Sequence, residues 1–214
     1  MKLTLAEPRY LKDSVLIISE LVNEANIRLM KDRIELIAMD PASVAMVVFR
    51  LLSSAFTDYE VKEEKTIGDN LGILTQILKR VKPTDVLSLE LDDKRNRLSI
   101  ILKGNSVKRF ELGLLDIDEK EQKIPNLNFK AKVEANALLF NDAIEDMGII
   151  GESLSFSVDS DKFIVSSEGN ISSGKVEVDS GDDIRVEVLG DPVNSRYSIE
   201  YLKKIMKGNK LSNN

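Results

Sequence analysis

Residues 71–83, LGILTQILKRVKP, decide the fold. Ile73, Leu74, Ile77, Leu78 and Val81 recur at the spacing of one helix face, and Pro83 helps to end the run, so the pattern predicts a helix over 71–82. The stretch has an echo. In residues 198–207, SIEYLKKIMK, the side chains of Tyr201, Leu202, Ile205 and Met206 share a face, and Leu202-Lys203-Lys204-Ile205 answers Leu78-Lys79-Arg80-Val81. A pattern that returns in the second half of a 214-residue chain marks an internal repeat, and hence two small domains of one design.

Working outward, each copy carries an earlier helix as well. Leu11, Val15, Ile18 and Val22 form the stripe of a helix over 10–22, and Leu139, Phe140, Ala143, Ile144 and Met147 that of one over 137–147. Strand signals lie between and after the helices. Ile27–Leu29 and Ile34–Leu36 alternate around a polar turn, Val44–Leu52 is nearly continuous and apolar, and Val86–Leu91 and Leu98–Leu102 flank the turn at 92–96. Val107–Leu115 closes the first half; in the second, Leu154–Val158 is matched with Phe163–Ser166 and Lys175–Asp179 with Ile184–Leu189. Residues 116–126, DIDEKEQKIPN, are charged, lack an apolar period and contain a proline, so they read as a linker between a first domain, 1–115, and a second, 127–214. The repeat unit reads as β-α-β-β-β-α-β-β-β. Its second copy stops at Asn214, soon after its second helix, so the second domain is expected to lack its C-terminal strands.

Composition narrows the chemistry. Cysteine and histidine are both absent, which removes thiolate and imidazole metal sites, disulfides and the usual general base. Asp92, Asp93, Asp182 and Asp183 fall in turns without a complete cation-ligand loop, and Gly148-x-x-Gly151 lacks the Gly-Lys-Ser/Thr ending of a phosphate loop. No cofactor, metal or catalytic residue is expected. No apolar run reaches the ~18 residues that cross a bilayer, and the N-terminus lacks a signal-peptide core, so an intracellular, cytoplasmic location is expected. The net charge of −6 excludes an all-over basic nucleic-acid binder but leaves room for one basic face. Such a face exists in the pattern. Opposite the apolar stripes lie Thr75, Gln76, Lys79 and Lys82, flanked by Arg80, on the one helix, and Lys203, Lys204 and Lys207, diluted by Glu200, on the other. Cations of this kind meet phosphates without reading bases.

With these residues assembled, the chain resembles proliferating cell nuclear antigen, the sliding-clamp family of archaea and eukaryotes, in its archaeal form. Ala38-Met39-Asp40-Pro41-Ala42-Ser43-Val44 resembles that family's A-M-D-P-S-x-V segment. Leu21–Ala25, Phe56-x-x-Tyr59, Ile67-Gly68, Leu78-Lys79-Arg80, Asp116-Ile117-Asp118 and Ile124-Pro125 agree in order. The resemblance implies an α+β fold of two similar clamp domains, each with antiparallel sheets and two helices packed on one side. It implies a non-enzymatic processivity factor that encircles duplex DNA as a trimeric ring, homomeric or heteromeric. Lys12, Lys79, Arg80, Lys82, Lys203, Lys204 and Lys207 would then face DNA. Short apolar peptides of DNA polymerase, clamp loader, flap endonuclease and DNA ligase would dock at Met39, Val44, Met46, Ile124 and Pro125. The strand Ser106–Leu115 would pair with Ser173–Ser180 of a neighbouring subunit, and a nucleoid-associated location follows. Asp142 and Glu145 depart from the pattern, standing where the family often has basic residues. Two other readings stay open: a paralogous subunit specialised for partner recruitment, and an interaction module that forms no ring.

Overall fold

The computed structural model describes residues 1–118, 122–159 and 161–213, which form two compact units divided between Lys123 and Ile124. That division falls inside the segment read as a linker, of which Glu119, Lys120 and Glu121 lie outside the described residues.

The first unit runs β1 (Lys2–Leu5), α1 (Arg9–Ile18), β2 (Glu24–Leu29), β3 (Arg33–Met39), β4 (Met46–Leu52), β5 (Asp58–Glu60), β6 (Lys65–Asn70), α2 (Leu71–Leu78), β7 (Val86–Asp92), β8 (Arg97–Lys103) and β9 (Val107–Gly113). Its strands make two antiparallel sheets, β5-β1-β7-β8-β9 and β4-β3-β2-β6. One core joins both: Leu3 and Leu5 from β1, Leu36 from β3, Ile67 from β6 and Ile100 and Leu102 from β8 pack with Leu11, Val15 and Ile18 of α1 and Leu71, Leu74 and Leu78 of α2. The turn between β7 and β8 closes as its sequence requires, with Asp92 accepting the Lys94 and Arg95 N–H groups and Asn96 in the left-handed region at φ 51°.

The second unit repeats the opening. It runs β10 (Ala131–Ala135), α3 (Ala137–Gly148), β11 (Ser153–Asp159), β12 (Lys162–Glu168), β13 (Ser173–Asp179), β14 (Ile184–Val188), β15 (Val193–Ser198) and α4 (Ile199–Met206), then a 3-10 turn at Lys207–Lys210. Its sheets are β13-β12-β11-β15 and the two-stranded β10-β14. Phe163, Leu154, Ile144 and Val165 centre its core, with the rings of Phe140 and Phe156 each 5.3–5.4 Å from Phe163.

Several expectations change. Five strands, not three, separate the helices of each unit, because β5 is short and β15, VNSRYS, lacks an alternating apolar face and exists through its ladder with β11. β13 and β14 do not pair with each other: β13 joins β12, and β14 crosses to β10. The α2 stripe is rotated, with Thr75 buried at 7% exposure and Ile73 at 48%. α2 also ends at Leu78. Arg80 and Val81 donate their N–H groups to the carbonyls three residues back, and Asp85 accepts the Lys82 N–H at 3.0 Å. Lys79, Arg80 and Lys82 therefore sit on the turn after α2, and Lys207 on the turn after α4.

Candidate nucleic-acid and partner-binding surfaces

In the first unit the predicted cations converge. Asn70 caps α2 by accepting the Ile73 N–H at 3.0 Å, and burial of Leu71, Leu74 and Leu78 fixes the helix so that its C-terminal turn meets α1. Lys12 of α1 donates to the Val81 carbonyl at 3.1 Å, which places it among Lys79, Arg80 and Lys82. A cation at the C-terminal end of a helix also complements the partial negative charge there. Arg9, Lys12 and Lys82 line an open groove of about 490 Å³, with Glu7 and Asp13 on the same wall. Lys79, Arg80 and Lys82 are exposed and make no ion pair among the described residues.

The second unit is built differently. Lys203 and Lys204 lie on α4, and Lys207 follows it. Lys203 Nζ is 2.7 Å from Glu145 Oε2 of α3, and Lys204 Nζ is 2.7 Å from Glu200 Oε1. Asp142, Glu145 and Asp146 form the exposed face of α3.

The predicted partner-peptide residues divide. Met39 and Met46 are cross-strand partners at the open end of β3 and β4, and both are half-buried. Val44 lies in the turn before β4 and is 65% exposed, so it is neither strand nor core. The turn is held by Asp40, which sequence reading missed. Its buried carboxylate accepts the N–H groups of Ala42 at 3.0 Å and of Val44 and Ala45 at 2.6 Å, while Ser43 takes φ 57°. The Asp-Pro at its start was the available signal. A groove of about 190 Å³ beside Met39 is lined also by Asn26, Ile37, Ile117 and Gln122. The chain after β9 reaches it because Gly68 has no side chain. Leu115 donates its N–H to the Gly68 carbonyl, and a Cβ on Gly68 would sit 2.4 Å from the Leu115 oxygen. Ile124 and Pro125 belong to the second unit and are exposed.

Three carboxyls have shifted titration, of which Glu177 is exposed and held low by Lys175 beside it on β13. Glu35, on the face of β3 away from the core, is held below its usual range first by the Arg50 guanidinium at 2.5 Å, with burial opposing and Arg33 assisting. Asp69 is 1% exposed and borders a small cavity lined by Leu3, Leu11, Ile27, Leu74 and Leu89. Neither of its oxygens has a hydrogen-bond partner, and burial pushes the carboxyl up to about 7, with the neighbouring Asn70 N–H opposing. Among the described residues no group of three or more acidic, histidine or cysteine side chains could hold a metal, and no helix is long and apolar enough to cross a membrane.

The chain has relatives among known proteins. Residues 1–123 match the family described as proliferating cell nuclear antigen, N-terminal domain, and residues 123–214 match its C-terminal domain. The DNA polymerase sliding clamp of Nanoarchaeum equitans is 33% identical over 210 residues, spanning 97% of this chain and 84% of that protein. The DNA polymerase sliding clamp of Pyrococcus furiosus is 33% identical over 191 residues, spanning 89% of this chain and 76% of its own length. The crystal structure of PCNA from Thermococcus kodakaraensis shares the fold, with a TM-score of 0.91 at 24% identity over 99% of this chain and 86% of that one.

Proposed function

Because this chain belongs to the proliferating cell nuclear antigen family and is a DNA sliding-clamp subunit of archaeal type, we propose that it closes with two other clamp subunits into a ring around duplex DNA and tethers client proteins there. It acts as a scaffold and not as an enzyme. The observation that carries the ring reading is a matched pair of free edges. β9 ends the five-stranded sheet of the first unit and β13 ends the four-stranded sheet of the second, and each has an open side for antiparallel pairing with a neighbour. Lys108 and Arg109 on β9 complement Glu177 and Asp179 on β13.

Lys12, Lys79, Arg80 and Lys82 supply the phosphate contacts of the first unit, and Lys203, Lys204 and Lys207 those available to the second. Flexible lysines give non-specific, mobile contact, which suits a ring whose hold on DNA is topological. Client peptides with apolar anchors, from DNA polymerase, clamp loader, flap endonuclease and DNA ligase, dock on Met39, Val44 and Met46 of the first unit. The half-buried methionines beside a rigid turn make an adaptable apolar surface for that purpose.

A second reading, one paralogue within a heterotrimer, is favoured by the carboxylates that face the lysines of the second unit. Light scattering on the eluting protein decides. A mass of three times 23.9 kDa supports a homotrimer, whereas a monomer that trimerises only on mixing with paralogues supports the second reading. A monomer under both conditions ends the ring reading. In a ring that forms, Lys79→Glu with Lys207→Glu slows loading onto DNA and weakens polymerase stimulation without loss of the trimer.

A further inference from the structure

The two helix pairs carry opposite charge balances. On α1, α2 and the turn through Lys82, the five cations Arg9, Lys12, Lys79, Arg80 and Lys82 outnumber one carboxylate, Asp13, which sits 3.4 Å from Arg9, with Glu7 just before α1 bordering the same groove. On α3, α4 and the turn through Lys210, the cations Lys203, Lys204, Lys207 and Lys210 are matched one for one by Asp142, Glu145, Asp146 and Glu200. The matching is spatial for the central lysines. Lys204 is held by Glu200 one turn earlier on its own helix and lies 5.4 Å from the Tyr201 ring centre. Lys203 is held across the helix pair by Glu145. Its ammonium reaches over the last turn of α3, where a Cβ on Gly148 would come within 3.1 Å of Nζ. The carbonyl end of α3 adds negative partial charge at the same place.

We infer that Glu145 masks Lys203 and thereby sets how much the second unit contributes to phosphate binding, leaving the grip on DNA to the first unit. The inference rests on the reading that these helix pairs face duplex DNA. To meet a phosphate, Lys203 must leave Glu145, and the exposed carboxylate then stands beside the phosphate and repels it. The masked lysine therefore releases little counterion on binding and adds little to the salt dependence that phosphate contacts create. Glu145 is a positioning residue in this sense: it acts on DNA through Lys203. A ring with alternating gripping and neutral units holds duplex DNA less tightly than an all-basic ring and slides with less friction.

The test is fluorescence anisotropy on a short duplex, with the full chain in its native assembly, titrated across salt concentrations. Glu145→Gln steepens the plot of log affinity against log salt by about 0.9 for each subunit in contact. Glu145→Gln with Lys203→Gln removes that gain and returns the slope to that of the unaltered protein. If the gain of Glu145→Gln persists in the double variant, the carboxylate acts through the general field and the mask is refuted. If Glu145→Gln changes nothing while Lys79→Gln with Lys82→Gln flattens the slope, the mask falls and the DNA-facing reading stands. If none of these variants moves the slope, both fall.

Discussion

In the first unit β1 is flanked by β5 and β7, within a sheet of five strands; in the second its counterpart β10 has β14 alone among the described residues. From α1 and α3 through β4-β3-β2-β6 and β13-β12-β11-β15 to α2 and α4 the elements correspond one to one, while β7, β8 and β9 have no counterpart among the described residues of the second unit. The same supersecondary design thus stands with and without a full second layer. The difference is met by side chains. Leu3, Leu5, Leu87, Ile100 and Leu102 carry the centre of the first unit from its five-stranded sheet, whereas the second relies on Phe140, Phe156 and Phe163, with Tyr197 at the rim against Phe156. A core held by a few large rings is more sensitive to the loss of one ring than a core spread over many aliphatic chains.

The largest expected effect breaks the two units apart. Phe163 is 1% exposed and contacts both other rings. Phe163→Ala leaves a cavity and costs about 3–5 kcal/mol, comparable to the whole stability of a small domain. Amide exchange in the 214-residue chain is expected to collapse in β11–β15 while β1, β7 and β8 stay protected. Equal loss of protection in both units would mean that they unfold as one, and the comparison between them would lose its energetic content.

Next comes a contrast in what stands just before the second helix. In the first unit this is Asp69, sealed in apolar surroundings; in the second the corresponding residue is Tyr197, 45% exposed. The sign is fixed by linkage. A carboxyl whose folded value is about 7, against about 3.9 when unfolded, binds its proton more tightly in the folded state. Its contribution is fully present below the unfolded value and is lost as pH rises toward the folded one, at about 1.4 kcal/mol per pH unit. The total approaches roughly 4 kcal/mol between about pH 4 and pH 7. Asp69→Asn removes this titration. Urea unfolding of the first unit at pH 5 and pH 8 should show the variant gaining on the parent as pH rises. An unchanged gap between the two pH values would mean that the Asp69 carboxyl is hydrated and ionised throughout.

The parts of this architecture that show in the sequence are those written in local periodicity. Leu11, Val15, Ile18 and Val22 are all buried as their spacing requires, and the polar run from Asp92 to Asn96 turns where it should. What does not show depends on partners distant in the chain. β15 has no apolar alternation of its own, and β14 leaves its sequence neighbour for β10, a choice made by the register Val133↔Val186 and not by any turn signal. The end of α2 is hidden because Lys79, Arg80 and Lys82 are good helix formers; the switch to bonds three residues back and the Asp85 side chain stop the helix despite them. At the candidate sites the cations were visible as a pattern on a polar face, but their pairing was not. Glu145 and Lys203 are 58 residues apart in sequence and meet only because α3 packs on α4. Asp40 was visible only as part of a turn, since its three acceptor bonds depend on the fold of the five residues after it.

The smallest effect sharpens the comparison at equivalent cross-strand pairs. In the first unit β3 and β4 oppose Glu35 to Arg50; in the second β12 and β13 oppose Ile164 to Glu177, and Glu177 turns to Lys175 on its own strand instead. Only the first unit therefore has an ion pair at this position, while β12 and β13 carry theirs two residues along, between Lys162 and Asp179 at 3.5 Å. Arg50 is half-exposed, so water screens the pair, and Arg33 remains near Glu35 when Arg50 is removed. Arg50→Met is accordingly expected to cost no more than about 1 kcal/mol at pH 7. Because Arg50 holds the Glu35 carboxyl below its usual range, the contribution of the pair is present above the unfolded value and fades as pH falls through the folded one. The deficit of the variant should therefore hold from pH 7 to the ordinary glutamate value of about 4.3 and shrink from there toward about pH 3. Glu177→Gln, which alters an exposed carboxylate held low by Lys175 on its own strand with Lys162 assisting, should show a smaller pH-dependent deficit; if it matches Arg50→Met at both pH values, the ion pair is not what distinguishes the two sheets.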